Sequence, residues 1–145
     1  MNEILIASDH AGFKLKKTLI EQFQGKFKFV DLGPFSELSV DYPDYAKKLS
    51  IRIDSNNESK GVLICGSGIG MSMVANRFKN VRAALCMNNE MSMLARQHNN
   101  ANILVLGSRL ISYEEAIKCF IMFFKSKFEA GRHQARLEKL NRIES

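Results

Sequence analysis

The chain has 145 residues, of which 46% are hydrophobic and 25% charged, with a formal net charge of +6. This composition indicates one globular domain, 1–145, and argues against a disordered or collagen-like chain. The sequence starts without a secretory signal pattern and its most apolar later segment, 117–124, is short and contains Lys118, so we expect a cytoplasmic protein with no membrane partner.

Five short apolar runs predict β-strands at 4–8, 27–32, 62–65, 82–86 and 103–106. Each run is nearly continuous in apolar character, which is typical of strands that helices cover on both faces. Helical patterns separate the runs. The sequence therefore predicts an α/β fold, a three-layer α/β/α sandwich around a five-stranded parallel sheet.

Six helices are predicted from apolar spacing and end signals. The first covers 13–23, the second begins near Pro43 and runs through Ile53, the third follows Gly68, and the fourth covers 91–98. A capping box at 112–115 opens the longest helix, which we expect to end at Gly131. A last basic helix, within 132–145, carries a thin apolar stripe that predicts docking on another surface.

Polar and glycine-rich segments follow three of the predicted strands: 8–12 (SDHAG), 65–70 (CGSGIG) and 107–109 (GSR). The carboxyl ends of parallel strands form one edge of a sheet, where ligands bind. The glycines of 65–70 allow a close approach of the backbone, and amides that precede a helix can bind a phosphate or a developing oxyanion. A tight structural turn is the plainer interpretation. A dinucleotide fingerprint fits poorly, because Met71 stands where its third glycine belongs.

Cys65 is the cysteine that its position singles out. It ends a strand just before a helix, and the helix dipole favours the thiolate form that acts as a base or nucleophile. Cys86 and Cys119 are interpreted as inert core residues. Three cysteines without a C-x-x-C pair fit a reducing compartment and give no resolving partner for redox chemistry.

The histidines and arginines supply further candidates. His98 falls in a polar turn and can exchange protons at neutral pH, while Asp9 beside His10 is explained equally well as a helix cap. Metal binding is not expected, because no two histidines have close ligand spacing. Arg132 and Arg136 share one helix face that can bind a phosphate, although a solvated basic helix is the plainer alternative.

Six segments of the chain together resemble, in order and spacing, the type B ribose-5-phosphate isomerases. They are 8–12, 41–43, 65–72, 96–99, 107–109 and 131–134. The resemblance covers essentially the whole chain. It implies a Rossmann-like fold, a homodimer or dimer of dimers with shared sites, no metal or other cofactor, and a small sugar phosphate rather than nucleic acid as the partner. The implied reaction interconverts D-ribose 5-phosphate and D-ribulose 5-phosphate in the pentose phosphate pathway.

The same resemblance assigns roles to residues. Cys65 matches the proton acceptor and His98 the proton donor that helps to open the sugar ring, and the C-terminal arginines reach a neighbouring subunit's site. The positions that match substrate-binding residues are Asp9, His10, Gly66, Ser67, Gly68, Ile69, Gly70, Asn99, Arg109, Arg132 and Arg136.

Two alternatives stay open. Related isomerases act on six-carbon phosphates such as allose 6-phosphate or galactose 6-phosphate, and pocket depth, which the sequence does not give, decides between them. A nucleotide-binding module that uses the glycine loop without catalysis is a weaker alternative.

Overall fold

Five parallel strands lie at the centre of the computed structural model, which describes residues 2–56 and 58–143. The strands are β1 (Glu3–Ser8), β2 (Lys28–Asp31), β3 (Lys60–Cys65), β4 (Ala83–Leu85) and β5 (Ile103–Gly107). Their order in the sheet is β2-β1-β3-β5-β4, and Cys65 lies opposite Gly107 at the carboxyl edge.

Six helices connect and flank the strands: α1 (Phe13–Phe23), α2 (Tyr42–Asp54), α3 (Ile69–Ala75), α4 (Asn89–Asn99), α5 (Tyr113–Lys125) and α6 (Arg132–Asn141). Buried apolar side chains of α1, α4 and α5 pack on one face of the sheet, and those of α2 and α3 pack on the other. This confirms the predicted three-layer α/β/α sandwich. No helix among the described residues is long and apolar enough to span a bilayer.

Local signals account for the helix starts. Pro43 lies in the first turn of α2, where its missing N–H costs no hydrogen bond. The side chains of Asn88 and Ser112 accept hydrogen bonds from backbone N–H groups in the first turns of α4 and α5. Because these signals are local, the predicted starts of these helices lie within a few residues of the observed ones.

The predicted end of the longest helix is wrong. Helix α5 ends at Lys125 rather than Gly131, and Ser126 has extended backbone angles. The chain then runs along the end of α4, where the N–H of Glu129 donates to the carbonyl of Gln97 at 3.0 Å. Gly131 does have a positive φ of 50°, but it precedes α6 instead of terminating α5.

Helix α6 packs in part on its own chain. Leu137 is buried, whereas Leu140 and Ile143 of the same predicted apolar stripe are exposed. Part of the stripe is therefore used within the chain. The remaining part of the predicted docking segment, residues 144–145, lies outside the described residues.

Candidate active site

The loop after β3 places Cys65 at the carboxyl edge of the sheet. Cys65 is buried, and the N–H of Gly68 donates to its Sγ at 3.2 Å. Gly68 has a φ of 78°, a left-handed conformation in which a side chain would be strained, and a Cβ there would contact Leu85. The glycine thus allows the backbone to turn back onto the sulfur.

Hydrogen bonds join the three loops that were predicted to meet at this edge. Ser108 donates its N–H to the carbonyl of Cys65 at 2.9 Å and its hydroxyl to the carbonyl of Ala11 at 2.8 Å. The N–H of Asp9 donates to the carbonyl of Ile64 at 3.1 Å. The loops therefore form one connected surface around Cys65.

Asp9 and His10 are both held in defined positions. The Asp9 carboxylate accepts a hydrogen bond from the N–H of Gly12 at 3.0 Å, which is the cap-like role that the sequence allowed. His10 Nδ1 lies 3.2 Å from both the amide nitrogen and the carbonyl oxygen of Val40. Its ring is therefore oriented through Nδ1 by the loop that precedes α2.

Arg109 and Tyr42 flank the glycine loop. Arg109 is exposed, donates its N–H to the carbonyl of Gly66 at 2.9 Å, and has its guanidinium against Gly66, where a Cβ would lie 3.1 Å from Nη1. The ring of Tyr42 lies on Gly70, in the space that a Cβ at that position would need. Sequence reasoning did not include Tyr42, and its adjacency to Pro43 in the motif 41–43 is the signal that could have found it.

The amides of the loop are not all available to a ligand. The N–H of Gly68 is used by Cys65, and the N–H of Ile69 donates to the hydroxyl of Ser67 at 3.2 Å. Ser67 and Gly70 are both half-buried at this edge of the sheet. Any oxyanion stabilisation by this loop is therefore assigned to the amides of Gly66, Ser67 and Gly70 rather than to the whole segment 66–70.

The remaining predicted site residues lie elsewhere in the chain. His98 and Asn99 are in the last turn of α4. The nearby Asn102 shows which edge this is, because its N–H donates to the carbonyl of Arg82, which lies just before β4. Asn102 also accepts the N–H of Gly61 near the start of β3. His98 and Asn99 are thus at the amino edge of the sheet, opposite to Cys65.

His98 has neighbours there from the C-terminal part of the chain. Its ring stacks on that of His133, with centroids 4.2 Å apart, and its Nε2 lies 3.9 Å from the Glu129 carboxylate. Partial desolvation lowers the pKa of His133, and the positive charges of His98, Arg132 and Arg136 lower it further. Sequence reasoning missed Glu129 and His133, because their proximity to His98 arises only from the path of 126–131.

Buried Arg96 fixes the turn that carries His98 and Asn99. Its Nη1 donates to Asn100 Oδ1 at 2.9 Å and to the carbonyl of Ala101, and its guanidinium lies over the ring of Phe123. Burial lowers the pKa of Arg96. The residue is in the quoted segment 96–99, but the sequence did not show that its function is to hold the turn.

The predicted site is therefore divided between two edges of one sheet. One group lies at the carboxyl edge: Asp9, His10, Cys65, the loop 66–70 and Arg109. The other lies at the amino edge, with His98, Asn99, Arg132 and Arg136. Because β5 and α4 each run from one edge of the sheet to the other, their lengths put the two groups about 15 Å apart, measured parallel to the strands. One chain does not bring Cys65 and His98 together.

The other two cysteines lie in the hydrophobic core. Burial raises the pKa of Cys86 to about 12 and that of Cys119 to about 12. All three cysteines are free thiols. Cys65 differs from the other two because its Sγ accepts the N–H of Gly68.

Comparison with known proteins agrees with this geometry. A family model described as Ribose/Galactose Isomerase matches residues 4–140. The chain is 46% identical to a probable ribose-5-phosphate isomerase B from Mycoplasma genitalium, covering 97% of this chain and 95% of that protein. It is 35% identical to the ribose-5-phosphate isomerase B of Escherichia coli, covering 99% and 97% of the two chains.

Solved structures give the same result. The chain superposes on a ribose 5-phosphate isomerase from Thermotoga maritima with a TM-score of 0.93 and 49% identity, covering 98% of this chain and 99% of that one. The Mycoplasma genitalium enzyme with bound ribulose-5-phosphate gives a TM-score of 0.93 at 45% identity, covering 97% and 94%. The matches in sequence and in fold both extend over nearly the whole chain, and the chain belongs to the ribose/galactose isomerase family.

Proposed function

We propose that this chain interconverts D-ribose 5-phosphate and D-ribulose 5-phosphate through an enediolate, as an assembly of at least two copies. The observation that supports this proposal most directly is the environment of Cys65. Its buried sulfur accepts a backbone N–H, and hydrogen bonds join the three loops around it into one surface. The related Mycoplasma genitalium enzyme binds ribulose-5-phosphate on the same fold. No step of the proposed reaction uses a cofactor.

Cys65 performs the proton transfer in this proposal. Its thiolate takes the proton from C2 of the open-chain aldose while negative charge develops on the oxygen of C1. The amides of Gly66, Ser67 and Gly70 stabilise that oxygen. The thiol then returns the proton to C1, and a proton passes from the C2 hydroxyl to the C1 oxygen, which gives the ketose.

His98 and the arginines act on parts of the substrate outside C1 and C2. When the cyclic sugar opens, the bond between C1 and the ring oxygen breaks, His98 gives a proton to the ring oxygen, and the C1 hydroxyl loses its proton to solvent as the carbonyl forms. Asn99 lies beside His98 in the chain. Arg132 and Arg136, four residues apart on α6, bind the phosphate together with Arg109 and His10. Phosphate binding far from the reacting carbons positions them for catalysis.

A second copy of the chain supplies the group that the first cannot bring to its own Cys65. His98 and the α6 arginines lie at the edge of the sheet opposite to Cys65, so a shared site needs the amino edge of one copy against the carboxyl edge of another. Several large apolar side chains around the carboxyl edge support such a contact. They are Phe35, Leu38, Ile69 and Met73, exposed by 74%, 77%, 46% and 64%.

A substrate comparison tests the proposal. The purified full-length protein, assayed with EDTA present, should convert ribose 5-phosphate to the ketose and act more slowly on allose 6-phosphate and galactose 6-phosphate. The family description names both ribose and galactose, which is why the six-carbon sugars are the appropriate comparison. Turnover of a six-carbon phosphate alone would contradict the pentose assignment. Tight binding of ADP or NAD without any isomerase activity would contradict catalysis altogether.

The expected location is the cytoplasm. Three free thiols, among them the proposed base Cys65, fit a reducing compartment. Fractionation of cells that produce the protein would test this location.

A further inference from the structure

Three potential metal ligands meet at the amino edge of the sheet. The ligand atoms of His98, Glu129 and His133 all lie within 4.8 Å of one another, and the two histidine side chains are half-buried. The residues come from α4, from the segment between α5 and α6, and from the first turn of α6. Sequence spacing gave no metal motif, because His98 and His133 are far apart in the chain.

The backbone around these ligands is well fixed. The N–H of Glu129 donates to the carbonyl of Gln97 at 3.0 Å, which holds the carboxylate beside the residue preceding His98. The N–H of His133 donates to the carbonyl of Ala130 at 2.9 Å, and buried Leu137 anchors the helix that follows. These hydrogen bonds connect the three segments that carry the ligands.

We propose that His98, Glu129 and His133 form a binding site for one Zn²⁺ ion. Two imidazoles and one carboxylate are a ligand set that zinc accepts, with the fourth position open to water. Tetrahedral zinc with ligand bonds of about 2.0–2.1 Å holds its ligand atoms about 3.4 Å apart. The present maximum of 4.8 Å needs a contraction of about 1.4 Å.

The histidine rings must turn to reach this arrangement. They now stack with an interplanar angle of 16°, so their in-plane lone pairs run nearly parallel. Within a single chain the side chain of His98 is 37% exposed and that of Glu129 is 54% exposed, so packing inside that chain leaves both free to rotate about their side-chain bonds. The neighbouring positive charges of Arg132 and Arg136 oppose a cation, and the negative charge of Glu129 offsets part of that repulsion.

The site has a consequence that rests on the proposed function. A zinc ion on His98 occupies the imidazole lone pair, so His98 can no longer exchange a proton with the sugar ring. Zinc would therefore inhibit conversion of the cyclic substrate. The effect on a pre-opened substrate would be smaller.

Zinc binding can be measured without any assay of activity. Metal-free protein carrying Cys65→Ser, which removes a competing thiol, is titrated with Zn²⁺ against a chromophoric chelator. We expect one ion per chain, and we expect His133→Ala or Glu129→Gln to weaken binding by more than about tenfold. The control is Glu138→Gln, which changes an exposed carboxylate on α6, the helix that carries His133. This variant should bind zinc with the same affinity as the parent protein.

Two outcomes would overturn the site. One is zinc affinity that is unchanged in both His133→Ala and Glu129→Gln. The other is an absorption spectrum of bound Co²⁺ that lacks the strong visible bands of tetrahedral coordination. Glu129→Gln changes an exposed side chain isosterically, so its result does not depend on a variant that fails to fold. Zinc binding without inhibition would uphold the site and contradict the ring-opening role of His98, which separates the two proposals.

Discussion

Cys65 differs from the other two cysteines in the groups around its sulfur. Its Sγ accepts the N–H of Gly68, whereas burial raises the pKa of both Cys86 and Cys119 to about 12. A thiol with such a high pKa is almost fully protonated at neutral and mildly alkaline pH. Chemical reactivity should therefore distinguish Cys65 from the other two.

We expect iodoacetamide to alkylate Cys65 selectively between pH 7 and pH 9. At pH 8 a thiol of pKa about 12 is ionised in roughly one molecule in 10⁴, and only the thiolate reacts. Peptide mass spectrometry after brief labelling of the native protein gives the site. Cys65→Ser should remove the label, and labelling of Cys86 or Cys119 in the native protein at a comparable rate would contradict this interpretation.

Substitution of the proposed base should affect turnover more than binding. Cys65→Ser replaces the thiolate by a hydroxyl that ionises far less readily, so we expect kcat on ribose 5-phosphate to fall by about 10²–10⁴-fold with a nearly unchanged KM. Cys86→Ala is the matched control, since Cys86 lies in the core. Near-normal turnover of Cys65→Ser would show that Cys65 is not the base of the reaction.

At the scale of elements, an ion pair holds α1 against the loop after β2. Lys16 is fully buried, and its ammonium donates to Asp31 at 2.8 Å and to the carbonyl of Pro34 at 2.6 Å. Burial lowers the pKa of Lys16, and the Asp31 carboxylate offsets part of that effect. The same loop leads towards Val40, whose backbone orients His10. The Lys16 pair thus supports one side of the carboxyl edge.

Removal of the buried ammonium should destabilise the fold. Lys16→Met removes the ammonium from Asp31, whose carboxylate keeps the N–H of Gly33 as a donor, and it leaves the Pro34 carbonyl without the lysine. We therefore expect a loss of about 1–3 kcal/mol in the free energy of unfolding, measured with urea. Lys14→Met is the control, because its contact with Glu37 is exposed and should contribute less than about 0.5 kcal/mol. Adding Asp31→Asn to Lys16→Met should recover part of the lost stability. If it does not, the loss does not come from the interaction between Lys16 and Asp31.

Sequence patterns predicted these elements well where the signal was local. Apolar periodicity and a proline at a helix start depend on a few neighbouring residues, so they placed α1 and α2 closely. The end of α5 at Lys125 was missed because a contact between Glu129 and Gln97, distant in sequence, determines the path of the chain. The spacing of α1 alone predicts that Lys16 faces solvent, and this prediction is wrong, because Asp31 and Pro34, distant in sequence, bind its ammonium in a buried position.

At the scale of the whole molecule, helix direction divides the candidate site. Helix α4 starts at the carboxyl edge after β4 and returns to the amino edge before β5, so its last turn carries His98 away from Cys65. This could have been deduced from the predicted order of elements. The family resemblance implied that the C-terminal arginines reach a neighbouring subunit's site, but it did not specify which edge of the sheet holds Cys65 and which holds His98.

Mixing two inactive variants tests whether copies share their sites. In a dimer of one Cys65→Ser chain and one His98→Asn chain, a shared arrangement puts both substitutions into one site and leaves the other site intact. Random assortment makes half of the dimers mixed, so refolding the two variants together should restore about one quarter of wild-type activity on ribose 5-phosphate.

Each variant refolded alone should stay at its own low activity, which is the control for the mixture. If each site were instead built within one chain, every site would carry one substitution, and the mixture would show only the average of the two variants. Recovery well above that average therefore requires Cys65 of one copy to act with His98 of another. The proposed function expects this pairing, because Cys65 and His98 lie at opposite edges of the sheet in one chain.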